Sequence, residues 1–334
     1  MSAHAAGTLS AADLEARFDE AVRDTIQRLV GAGETVVTDG EQRKPSFATY
    51  PIAGLSTLAP TGVTIPFADG HTRQLPTLTG GPFRYQTYAA SYLKAARSYT
   101  ALPIKQAVIS ASALSLLYPS AGLAGYDQNA FLVDLVSEAE RDIRGALDAG
   151  AHVVQIDFTE ARLSLKLDPS GGLLDTFIEL NNRVLERFTP DERRRLGVHT
   201  CPGGDHDSTH SADVDYAGLL PKLFELHVDN FFVQLASERD RPRVLAMLGK
   251  LGRAGRHIYV GVTDPIDPRI ESPEEIETRV LEAAKFIDPA WLGTTDDCGF
   301  SPFGDDTSTS RETAFAKIAA RVEGTVRASR VLGI

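Results

Sequence analysis

DQNAFLVDLVSEAERDIRGALDAGAHVVQIDF, residues 127–158, contains one full unit of the chain's architecture. Apolar residues recur at helical spacing from 127 to 149, a glycine stops the pattern, and the β-branched run at 152–158 begins at once. The unit repeats on both sides. Strand-like runs stand at 35–39, 106–110, 152–158, 196–200, 230–235, 257–262 and 291–295, separated by helical stretches such as 127–149 and 273–287. Strand then helix, repeated, builds a parallel sheet, because parallel neighbours need a crossover long enough for a helix. Seven strands are visible and an eighth is expected somewhere in 50–100. The expected fold is an α/β (β/α)8 TIM-type barrel forming a single domain over 1–334, with a hairpin-like excursion around 51–85 rich in Pro, Gly and Thr. An open doubly wound sheet is the competing fold, but Gly171-Gly172 and Gly203-Gly204 lack the G-x-G-x-x-G spacing that would announce it. Before the first strand, a frayed end leads into an amphipathic helix from near Ser10 to Gly31–Gly33.

With 334 residues, 43% hydrophobic and 24% charged, the chain can bury a sizeable core. Its formal net charge of -11 argues against nucleic acid or an anionic membrane as partner. Arg193, Arg194 and Arg195 read as a helix end rather than a phosphate site. No apolar run approaches the ~20 residues that span a bilayer and no signal pattern opens the chain, so the expected location is cytoplasmic. Two cysteines are too few for a disulfide framework and fit a reducing compartment.

Polar residues gather where the strands end: Asp39 and Glu41, Asp157 and Glu160, His199 and Cys201, Gln234, Asp264, and Asp296 to Cys298. In a barrel these ends open on one face, which carries the active site. Any one carboxylate there is unremarkable, since parallel strands generally run into polar loops. His199 and Cys201 are two apart at a strand end, so their side chains leave on the same side. Alone this is a weak sign, a buried Cys beside a solvated His being the ordinary reading. Cys298, just past another strand in TTDDCGF, changes that: imidazole and two thiolates are a zinc donor set, and three protein ligands leave a position for substrate.

These residues resemble a known family. HTC at 199–201, TDGE ending at Glu41, QID at 155–157, GVTDPIDPRIESPEEI from 261 and DDCG at 296–299 are similar, in order and spacing from about residue 10 to about 330, to the catalytic half of cobalamin-independent methionine synthase. The resemblance implies a (β/α)8 barrel with Zn2+ held by the His, both Cys and a Glu, moving a methyl group from a reduced folate to homocysteine. It places metal ligands at His199, Cys201 and Cys298, and carboxylates for the substrate amino group at Glu41 and Asp157. There are departures. The family's zinc-binding Glu falls at Gln234, a possible fourth ligand that would leave the site formally neutral. The family's proton-handling His falls at Ile266. Its folate-stacking Trp aligns near Leu117 or Tyr118, and its Thr-Gly-Pro reads Ser110-Ala111-Ser112. The loop 201–215, with Asp205, His206, Asp207 and His210, is expected to line the donor pocket, although each of these residues singly also fits a solvated turn.

A chain of this length has no room for the family's amino-terminal half, so a short single-barrel homologue is expected, similar also to the epoxyalkane:coenzyme M transferases. The expected function is zinc-dependent S-alkyl transfer, most simply methylation of homocysteine to methionine. Its alternatives are thiol addition to an epoxide, for which Arg43 and Arg162 would supply sulfonate contacts, and a non-catalytic or decarboxylase-like barrel. The partners implied are a small-molecule thiol and an alkyl donor, with a homodimer or an accessory donor protein as further options.

Overall fold

A computed structural model describes residues 7–334. Residues 1–6, the greater part of the expected frayed end, lie outside the described residues. Helix α1 (Ala11–Ala32) is capped by the Ser10 hydroxyl, which accepts from the Asp13 amide, and stops at Gly33 in the left-handed region. The chain then passes Val37 and enters an excursion of short antiparallel ladders. β1 (Leu58–Ala59) pairs with β4 (Thr77–Leu78), and β2 (Thr64–Pro66) pairs with β3 (Thr72–Gln74).

After α2 (Ala90–Arg97) the alternation begins: β5 (Lys105–Ile109), α3 (Ala111–Ser115), α4 (Gln128–Asp148), β6 (Val153–Asp157), α5 (Glu160–Leu167), α6 (Gly172–Leu185), α7 (Pro190–Arg193) and β7 (Leu196–Thr200). A small ladder of β8 (Gly204–Asp205) and β9 (Ser208–Thr209) follows, then α8 (Tyr216–Leu223), β10 (Asn230–Val233), α9 (Arg241–Leu251), β11 (His257–Thr263), α10 (Pro273–Ala283), β12 (Leu292–Asp296) and α11 (Arg311–Leu332). The Arg193–Arg195 run does end a helix: Arg194 is the C-cap of α7, and Arg195 donates to the carbonyls of Leu147 and Ala151.

The six long strands form one parallel sheet in the order β12-β11-β10-β7-β6-β5. Val37 adds a seventh stave by bridging to Ile104, its amide 2.9 Å from the Pro103 carbonyl and its carbonyl 2.9 Å from the Lys105 amide. The eighth strand expected in 50–100 is not in this sheet, because that segment's strands pair with one another. Among the described residues, β12 and the Val37 stave are therefore the two edges of a seam. Arg321 of α11 crosses it, 3.0 Å from Asp296 of β12 and ion-paired with Glu34 just before the stave.

Alternation sorts the side chains into two sets. Val154, Ile156, Val198, Phe231, Val233, Ile258 and Val260 join the apolar core with Leu135 and Val136 of α4, Leu219 and Leu220 of α8, and Ile276 and Val280 of α10. The other set faces inward. Lys105 donates to Gln155 at 2.7 Å and lies 4.3 Å above the Phe232 ring, which stacks on Tyr259 at 4.5 Å. Above this layer, at the carboxyl ends, the inward residues are Asp157 and His199. They are register partners on β6 and β7.

Candidate functional site

The site is assembled from strand ends. His199 is the fourth residue of β7 and Cys201 immediately follows the strand, so both project inward. Cys298 stands two residues past β12. The two sulfurs are 3.0 Å apart, unbonded, and the donor atoms of His199, Cys201 and Cys298 all lie within 4.8 Å of one another. Among the described residues this is the one such cluster of potential metal ligands. Borderline-soft sulfur and imidazole donors at this separation fit a zinc-type ion.

The electrostatics bind the three into one unit. The hydrogen bond from Cys201 holds the Cys298 thiol below the usual thiol range against the effect of burial, and His199 adds to it. The same hydrogen bond, followed by burial, pushes Cys201 up. Burial works to lower the His199 pKa, but its hydrogen bond to Cys298, with the charges of Cys298 and Asp157, outweighs that and raises it. The backbone amides of Gly203 and Gly204 point at Cys201 and Cys298 respectively. Gly203 is left-handed (φ 71°), and a Cβ there would fall 1.8 Å from the Nε2 of His210.

Glu41 and Asp157 come to the same mouth. Asp157 is buried, and burial, then the charge of Glu41, pushes its carboxyl up to about 6. Gln155 donates to Asp157 Oδ1 at 2.8 Å, and because Lys105 occupies the Gln155 oxygen, the amide can present only its NH2 to the carboxylate. Glu41 sits in the left-handed region (φ 54°) within a turn whose amide is held by Asp39 at 2.9 Å. The buried Lys44 grips it at 2.5 Å while donating to the Ala107 carbonyl at 2.9 Å. Sequence reasoning passed over Lys44; its only sign is a cation three residues after Glu41.

Gln234, the possible fourth ligand, is buried, but its Oε1 accepts from Arg162 at 2.8 Å and its Nε2 donates to Ser237 at 2.9 Å. Both ends of its amide are thus engaged by protein partners. Asp297 also went unassigned. Its Oδ1 accepts from the amides of Leu235 and Ala236, and its Oδ2 from the amide and hydroxyl of Ser237, all at 2.7–2.8 Å. Glu160 is buried beneath Ser110 and Ser112, which both donate to its Oε1, and burial pushes its carboxyl up to about 7. Asp264 caps its own turn, accepting from the Ile266 amide at 3.0 Å, and Asp296 belongs to the seam.

A cavity of about 10 Å³ adjoins Cys298, lined among others by Gly204, Asp207, Pro265, Ile266 and Phe300. The loop 201–215 borders this space through Gly204, Asp205 and Asp207, which at that size holds about one water. Within that loop Asp205 is tied to Arg73 and His71 of the excursion, and His210 is buried, its pKa lowered by burial to about 4. Neither Arg43 nor Arg162 is open to an anion. Arg43 pairs with Asp19 and Glu15 of α1, and Arg162 donates to Gln234 and to the carbonyls of Ala212 and Val214.

The model of the cobalamin-independent synthase catalytic domain matches residues 2–321. The methionine synthase of Saccharolobus solfataricus is 24% identical over 96% of this chain and 87% of its own length, and that of Sulfolobus acidocaldarius is 24% identical over 97% and 85%. Among solved structures, a B12-independent methionine synthase from Shewanella sp. W3-18-1, in complex with selenomethionine, superposes with a TM-score of 0.77 at 20% identity, covering 98% of this chain and 92% of that one, which establishes the TIM-type barrel fold. On the extent of these matches, the chain belongs to the cobalamin-independent methionine synthase family.

Proposed function

We propose that this chain is a zinc-dependent S-methyltransferase acting on homocysteine or a close amino-acid thiol, with the whole barrel working as one domain. The observation that carries the reading is the convergence of His199, Cys201 and Cys298 beside the paired carboxylates Glu41 and Asp157. A zinc ion on those three ligands would supply Lewis acidity that lowers the pKa of a nearby thiol. The remaining roles belong to the chain. Glu41 and Asp157 receive the substrate ammonium, which holds the amino acid in one orientation with its sulfur toward the cysteines. Lys44 keeps Glu41 in place, and Gln155 keeps one Asp157 oxygen engaged so that the other faces the substrate. Orientation of this kind converts binding energy into rate by holding reacting atoms in line.

The epoxide:thiol alternative needs cations for a sulfonate, and the commitment of Arg43 and Arg162 to other partners favours the amino-acid thiol. On the donor side, Ile266 offers no proton where the resemblance expects a His. Loss of a general acid typically lowers rate by ~10²-fold or more. Methyltetrahydrofolate polyglutamate is therefore expected to be a poor donor compared with a methyl donor whose leaving group needs no proton. A turnover with that folate equal to the turnover with methylcobalamin would contradict this reading.

Calorimetric titration of homocysteine and mercaptoethanesulfonate into the parent and Asp157→Asn, both loaded with zinc, tests the acceptor. A charge-assisted contact to a buried carboxylate is worth about 1.5–3 kcal/mol, so the variant should weaken homocysteine about ten-fold or more and leave the sulfonate thiol nearly unchanged. Tighter binding of the sulfonate thiol by the parent, with both thiols equally affected in the variant, would transfer the assignment to the epoxide reaction.

A further inference from the structure

Gln234 occupies the position where the family resemblance expects a carboxylate ligand, yet its amide is held from both ends. Ser237 Oγ gives its only hydrogen to Asp297 Oδ2 at 2.7 Å. Toward Gln234 it therefore acts as an acceptor, and the group facing it at 2.9 Å must be the NH2. At the other end stands the Arg162 guanidinium, 2.8 Å from the amide oxygen. A guanidinium has no acceptor atoms, so it requires that oxygen. The two ends agree, and together they fix which end of the amide is oxygen and which is NH2. Rotating the amide to offer its oxygen elsewhere would set NH2 against a guanidinium and leave Ser237 without its donor. Buried groups that lose partners in this way carry their desolvation penalty unrelieved.

The clamp is itself anchored. Arg162 is 2% exposed, and its remaining donors go to the carbonyls of Val214, at 2.7 and 3.2 Å, and Ala212, at 3.1 Å, with Glu238 3.5 Å away and the Tyr216 ring beneath it. Asp297 is locked by three backbone amides of the turn after β10. We propose that Arg162, with Ser237 and Asp297, withholds Gln234 from the metal position, so that the centre has three protein ligands, His199, Cys201 and Cys298. Arg162 is then a positioning residue: it selects which side chains the ion can reach. A glutamate at 234 would meet the same guanidinium and form a charge-assisted pair with it rather than add a ligand. This inference rests on the reading of the His-Cys-Cys group as a metal site.

The test is Zn2+ affinity of the full chain, measured by competition with a chromophoric chelator, with the Co2+ d–d spectrum as a second readout. Gln234→Ala and Gln234→Glu should each bind within about five-fold of the parent and leave the Co2+ spectrum unchanged, whereas His199→Ala and Cys298→Ser should bind at least about ten-fold more weakly. Arg162→Met combined with Gln234→Glu should free the carboxylate and tighten zinc about ten-fold or more over Gln234→Glu. Should that double variant fail to fold, the two single variants at 234 decide. Weakening beyond about five-fold in Gln234→Ala makes the amide a ligand and overturns the inference, and so does tightening of about ten-fold in Gln234→Glu alone. If His199→Ala and Cys298→Ser bind like the parent, the metal site itself is refuted, a result distinguishable from failure at Gln234.

Discussion

At the residue scale, burial of carboxyls under the mouth of the barrel has a thermodynamic signature. Burial pushes the Glu160 carboxyl up to about 7 in the folded chain, only partly offset by Ser110 and Ser112, and among the described residues one of its oxygens has no partner. Its folded pKa is raised above the unfolded value of about 4.3, so its neutral form supports the fold fully below that pH. The support fades as pH rises through the folded pKa. For a buried group shifted this far the swing is about 3 kcal/mol. Relative to Glu160→Gln, the parent should therefore lose stability by about that amount between pH 4.5 and 8, as read by urea unfolding at several pH values. A constant difference across that range would mean that Glu160 ionises freely.

At the element scale, β11 is shaped by what crosses it. A Cβ at Gly261 would fall 1.8 Å from Oδ1 of Asp297 and 2.9 Å from the Leu235 amide. This strand glycine is therefore required for close approach. Gly261→Ala should push the Asp297 carboxylate out of its cradle of amides on residues 235–237. Leaving buried donors unmet is expected to lower stability by about 2–3 kcal/mol, and the loosened turn should broaden NMR signals around Ser237. An unperturbed fold with parent stability would show that the cradle is dispensable. Helix α10 offers a milder case. Ser272 and Glu275 form a reciprocal capping box, and Ser272→Ala should cost about 1 kcal/mol in chemical denaturation.

At the scale of the whole molecule, the barrel is joined across its seam by side chains. Edge strands need cover, and here α1 and α11 supply it, with Arg321 linking Asp296 and Glu34. All three side chains are largely buried, so removing the cation strands two carboxylates. Arg321→Ala is expected to lower stability at pH 7 by about 3–5 kcal/mol, as read by urea unfolding. A loss under ~0.5 kcal/mol, the scale of an exposed pair, would show that helix packing alone closes the seam. Among the described residues, no helix is long and apolar enough to cross a membrane.

The alternating strands and helices were legible because hydrophobic periodicity is local. The runs read at 152–158, 196–200 and 257–262 correspond to β6, β7 and β11. Ser10 and Gly33 bracket the first helix by capping chemistry that a few residues contain. The inward projection of His199 and Cys201 follows from strand geometry alone. What sequence does not contain is which distant groups share a cavity. That the sulfur of Cys298 meets that of Cys201 across 97 positions, that Arg162 turns the amide of Gln234, that Lys44 grips Glu41, and that 50–100 pairs with itself instead of closing the barrel are decided by tertiary packing. The reason is physical: a buried polar group takes whichever partner the fold brings within reach, and that partner is set by the register of strands far apart in the chain.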